Sequence, residues 1–144
     1  MKRMAKILSH TGDDLIKLYF TENVVNKNET KITITKIDLA DITGLEGRDK
    51  FVSDAFDIRP KNQKFSYPVQ LTLKYDINNI VNLKGSEKRL AIYRFHEASN
   101  QWYELPSTVC TTSKTVSTNI NHFSVYTIKM RPENSDISVK IYTY

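Results

Sequence analysis

One cysteine, Cys110, stands in a chain of 144 residues, so no intramolecular disulfide can close. The three histidines, His10, His96 and His122, are far apart, and with one thiol they cannot fill a four-ligand zinc site without carboxylates. No metal and no cofactor is expected. Four glycines and four prolines are too few for a collagen-like or low-complexity chain. The glycines are also too scattered for a phosphate-cradling loop. No serine sits in a nucleophile elbow. No run approaches the roughly 20 apolar residues of a spanning helix, so membrane insertion is not expected. The basic start, Met1-Lys2-Arg3, has no apolar stretch behind it and runs into Thr11-Gly12-Asp13-Asp14. It does not read as a signal peptide. Cysteine usage leaves the compartment open: cytoplasm, or the cell exterior if the chain is an excerpt of a longer protein.

Charge is present in both signs. Twenty-one basic and 16 acidic residues leave a formal net charge of +5, with a pI near 9.2. The basic residues are dispersed, with Asp54, Asp57, Asp76 and Glu87 between them. Without a basic stripe or a recognition motif, specific nucleic-acid binding is not expected. Hydrophobic residues at 40% place the chain among globular domains. One domain over 1–144 is expected, with residues 1–12 a poorly ordered N-terminal extension. At this length a core forms without staples.

The hydrophobic period is two almost throughout. Val69, Leu71, Leu73 and Tyr75 alternate with Gln70, Thr72 and Lys74, the pattern of a half-buried strand. Ile32 and Ile34 alternate with threonines; Val116, Thr118 and Ile120 repeat the pattern, as do Ile137, Val139 and Ile141. Arg89 to Phe95 is apolar on both faces and reads as a central strand covered on both sides. Strands are predicted near 14–20, 30–38, 69–75, 89–95, 101–104, 114–120, 124–129 and 137–143. One short helix is predicted around Asp76 to Leu83, with Asp76 as its cap. Turn signals such as Gly44-Leu45-Glu46-Gly47, Arg59-Pro60-Lys61-Asn62 and Ser99-Asn100-Gln101 separate the runs. The expected fold class is all-β, an antiparallel sandwich or barrel.

Several phrases recur in a recognisable order. Phe56-Asp57-Ile58-Arg59-Pro60 precedes Phe65-Ser66-Tyr67-Pro68-Val69-Gln70-Leu71-Thr72-Leu73. Leu90-Ala91-Ile92-Tyr93-Arg94-Phe95, Asn100-Gln101-Trp102-Tyr103 and Thr115 to Asn121 follow, leading into His122-Phe123-Ser124-Val125-Tyr126. Over residues 13 to 129 the order resembles the ZU-five domain, shared by zonula occludens proteins and Unc-five netrin receptors and similar to domains of microbial surface proteins. The resemblance implies an antiparallel β-sandwich of the ZU-five type.

It also singles out a triplet with chemistry. Some members of that family cleave their own chain at a Phe-Ser bond within His-Phe-Ser. Carried over, the Ser124 hydroxyl would attack the Phe123 carbonyl, and an N-to-O acyl shift would give an ester that water cuts. His122 would be general base or orienting group. The shift requires a strained peptide held by rigid strands. The structural alternative stands beside it. Phe123 is a natural core residue where strands meet, and a histidine two positions before a serine shares its strand face, free to bond a nearby hydroxyl or carbonyl.

Trp102 and Tyr103 are candidate contact aromatics, or packing residues over the sandwich. Cys110 reads as an isolated buried thiol. The reading favoured is a non-enzymatic protein-interaction or structural module, part of a larger surface or scaffold protein. Its protein partner is not named by any motif. An exposed edge, including Tyr142 and Tyr144 with 137–143, could pair with another strand. No turnover enzyme is expected, and self-processing between Phe123 and Ser124 is the alternative. Neither oligomeric state nor partner follows from the residues.

Overall fold

A computed structural model describes residues 6–9, 15–20, 32–38, 51–61, 64–82 and 86–131. Ten strands are described: β1 Lys6–Ser9, β2 Ile16–Phe20, β3 Thr33–Ile37, β4 Ala55–Arg59, β5 Lys64–Lys74, β6 Leu90–His96, β7 Gln101–Glu104, β8 Thr108–Cys110, β9 Thr115–His122 and β10 Val125–Met130. They form two five-stranded sheets, in the orders β1-β2-β5-β9-β8 and β3-β4-β10-β6-β7. Every pairing between strands is antiparallel. The fold is an all-β sandwich.

Alternation decides which side chains meet between the sheets. Leu18, Leu71 and Thr118 lie abreast across β2, β5 and β9. On the facing sheet, Phe56 pairs with Tyr126, and Ile128 with Ile92. Ile16, Leu18, Ile58, Val69, Leu71, Leu73, Ile92, Val116, Tyr126 and Ile128 are all at 0% exposure. The expected core residues Ile34, Leu90, Ile120 and Phe123 are buried with them, whereas Ile32 and Trp102 are half-buried. Ile32 packs at the margin of this core. Trp102 belongs to a second apolar cluster on the outer face of the other sheet, with Phe51, Ala55, Ile37 and Val125.

Three strands were not expected. β4 and β8 are short, and β8 has only three residues, too few for a period to register. Within the span expected to be a poorly ordered extension, Lys6–Ser9 pairs with β2. β5 begins at Lys64 rather than after Pro68. A register shift against β9 between Lys64 and Val69 lets the strand carry a residue that cannot donate to the ladder. The expected helix is α1, Ile77–Asn82. Asp76 Oδ1 accepts from the Asn78 amide at 3.0 Å, and Ile80 turns into the core. The predicted strand 137–143 lies outside the described residues. Among the described residues no helix is long and apolar enough to cross a membrane.

The chain changes sheets five times among these elements: β2 to β3, β4 to β5, β5 to β6 through α1, β7 to β8, and β9 to β10. The last crossover carries the His-Phe-Ser triplet.

Candidate functional site

β9 sends Val116, Thr118 and Ile120 inward, and His122 falls next in that series. The chain then leaves the sheet. Phe123 fills the core at 2% exposure. Ser124 sits in the crossover, before β10 begins at Val125. His122 and Ser124 are therefore not on one face of one strand, contrary to their spacing: the strand ends between them.

The crossover is pinned from several sides. The Ser124 carbonyl accepts from the Ile58 amide at 2.9 Å. The Ser124 hydroxyl donates to the Phe95 carbonyl at 3.3 Å. The Tyr126 hydroxyl donates back to the His122 carbonyl at 2.7 Å. A buried tyrosine that ties its hydroxyl to backbone a few residues upstream is a recurrent lock of sandwich corners. Burial raises the Tyr126 phenol well above its ordinary value of 10.0, so it is a firm donor at neutral pH.

These contacts bear on the chemistry expected of the triplet. The Ser124 hydroxyl's bond runs to a carbonyl oxygen, which accepts a hydrogen bond but takes no proton. Left-handed backbone at non-glycine residues occurs, among the described residues, at Asn100 and Lys114, both at φ 59°. Both lie in hairpin turns, away from Phe123 and Ser124.

A second cluster lies at this end of the sandwich. β6 carries Leu90 and Ile92 into the core, and Arg94 and His96 continue the same face. Arg94 is opposite Tyr126 on one side and opposite Tyr103 of β7 on the other. Tyr103 is the exposed large hydrophobic residue of the described chain, at 39%. The Arg94 guanidinium lies 5.9 Å from the Tyr103 ring centroid, and the His96 ring lies 5.1 Å away. Ser99 joins them: its hydroxyl is 2.8 Å from His96 Nδ1 and 3.1 Å from the Tyr103 hydroxyl. Nearby cations are neutralised, Arg59 by Asp57 at 3.1 Å and Lys61 by Glu97. Trp102 points to the opposite face and packs on Phe51 and Phe95, with centroids 5.4 and 5.0 Å away.

The other end holds a polar knot. Glu87 Oε2 accepts from the Tyr75 hydroxyl at 2.6 Å and from Lys114 Nζ at 2.8 Å. These bonds, Lys114's first, hold the Glu87 carboxyl below its ordinary value. Cys110 ends β8 and is exposed, not buried. A three-residue edge strand has no second layer to cover it. Hydrogen bonds from the Ser113 side chain, then from the Ser113 and Thr112 backbone, lower its thiol pKa.

Sequence reasoning singled out Tyr103 but not Arg94, His96 or Ser99. The available signal was Arg94 itself, a cation at an inward position of an apolar run, which marks where a strand leaves its core. Among the described residues no group of three His, Cys, Asp or Glu could hold a metal ion. His10 lies outside the described residues. No protein-family model matches the chain, and no curated protein matches it.

Proposed function

We propose that this chain is a non-enzymatic protein-interaction module, a sandwich of the ZU-five type within a larger surface or scaffold protein. The observation that carries this reading is the exposed Tyr103 on β7, the last strand of its sheet among the described residues. An aromatic side chain flanked by arginine on an edge strand has the composition of a binding hot spot. The strand's outer backbone edge offers the groups that pair with an incoming strand. A photo-crosslinking residue at position 103 should capture a protein that the same probe at Asn119, exposed on the outer face of the other sheet, does not.

Self-processing is the second reading. The pinned crossover favours it, because an acyl shift needs the peptide held rigidly. The engagement of the Ser124 hydroxyl with the Phe95 carbonyl weighs against it. The mass of freshly purified, denatured protein separates the two. One species near 16.7 kDa supports the module. Two fragments meeting at Phe123 and Ser124, abolished by Ser124→Ala, would replace it with self-cleavage.

A further inference from the structure

The hydrogen bonds around Tyr103 run in one direction. The Ser99 amide donates to His96 Nδ1 at 3.3 Å, so in the neutral ring Nδ1 is an acceptor and Nε2 carries the proton. The Ser99 hydroxyl, 2.8 Å from the same nitrogen, then donates to it as well. Its oxygen is left to accept from the Tyr103 hydroxyl at 3.1 Å. The chain of protons thus runs from Tyr103 through Ser99 to His96, and it leaves Nε2–H as the free donor of the imidazole. Arg94, stacked beside the same ring, is in no hydrogen bond or ion pair with another described residue, and a guanidinium only donates. Arg59 and Lys61 are already matched by carboxylates, so among the described side chains the unmatched charge at this patch is that of Arg94.

Resting on the interaction-module reading, we propose that Arg94, His96 and Tyr103 form a docking site for an acidic protein segment. A carboxylate of the partner takes the guanidinium and imidazole donors, and its methylene stem lies on the Tyr103 ring. The geometry suits a carboxylate. Two donor groups with no acceptor between them suit an anion, the guanidinium fork matches two carboxylate oxygens, and the adjoining aromatic face suits an apolar stem. Net charge of +5 favours encounter with an acidic partner.

The test is titration of the whole chain with a hexaglutamate peptide at low salt, followed by amide and side-chain NMR shifts. Shifts should centre on Arg94, His96, Ser99 and Tyr103. Arg94→Gln and Tyr103→Ala should each weaken binding about tenfold or more, since an interface hot spot exceeds 1.4 kcal/mol. Lys74→Gln, a change of equal charge at an exposed residue of β5, should leave binding within about twofold. Equal loss in Arg94→Gln and Lys74→Gln, or shifts spread over the lysines, would overturn the site in favour of general charge attraction. Absence of binding would overturn it too. Stronger binding of a phosphoserine peptide than of hexaglutamate would reassign the patch to phosphate. If the acidic peptide fails while the probe at position 103 still captures a protein, the module reading stands and the acidic partner falls. If the mass experiment shows cleavage, the module reading itself falls.

Discussion

Tyr126→Phe isolates the lock on the crossover. The ring is fully buried, and phenylalanine keeps its carbon volume, so no cavity opens and little apolar burial is lost. What goes is one donor: the His122 carbonyl loses its 2.7 Å bond. Removing this donor from a partly buried acceptor costs about 1–3 kcal/mol, more than the net worth of an exposed hydrogen bond. At roughly 4 °C per kcal/mol for a domain of this size, the melting temperature should fall by about 4–12 °C. Urea unfolding followed by Trp102 fluorescence measures the loss directly, and the m-value should not change, because the same surface unfolds. Ser124→Ala removes a longer bond, 3.3 Å, and should cost less, about 0.5–1 kcal/mol. The two contacts hold the same five residues of chain. Their double mutant should therefore depart from additivity by at least about 0.5 kcal/mol. A Tyr126→Phe loss below that figure at constant m, or strict additivity of the pair, would refute the claim that these bonds jointly hold the corner.

Burial raises the phenols of Tyr75, Tyr93 and Tyr126, Tyr93 to about 12. A raised phenol contributes stability in full below its unfolded value of 10.0, and loses it as pH climbs through the folded value. The urea midpoint should thus hold up to about pH 10 and fall between there and about pH 12; a rise across that window would contradict the burial of these hydroxyls. Cys110, exposed with its thiolate hydrogen-bonded, should react with iodoacetamide at pH 7 faster in the folded chain than in urea. Ser113→Ala should slow it, and equal rates folded and unfolded would sink the idea. Leu71→Ala, at a fully buried position of β5, should cost about 2–5 kcal/mol in the same urea assay. A loss under half a kilocalorie would place Leu71 on the wrong face.

The period-two pattern carried the fold because a sandwich buries one face of each strand, and parity along the chain reports that face directly. Val69, Leu71 and Leu73 show it without ambiguity. Parity fails where a strand is too short to show a period, as in β8, or where it says nothing of the neighbour. Phe56 and Ile58 of β4 obey the alternation, yet five residues ending at Arg59 resemble the start of a turn. The polar ends of strands were legible in the wrong sense. Arg94 and His96 keep the parity of Leu90 and Ile92, and His122 keeps that of Ile120, so an inward reading treats all three as members of the core or of its corner. What changes is the opposing layer, which no local pattern encodes. Toward the strand ends the inward series is only half covered, and Arg94, His96 and His122 become the rim of the sandwich. Polar residues at inward parity on strand ends are therefore the signal for such a rim. In this chain β6 and β9 both end on histidine, and the crossover from β9 to β10 brings Tyr126 abreast of Arg94. Arg94 is thus bracketed by Tyr126, which locks the corner, and by Tyr103 of the docking patch, so disturbing the crossover should also disturb the patch. A Tyr126→Phe chain that stays folded but loses hexaglutamate binding would show that coupling, and unchanged binding would show the two to be independent.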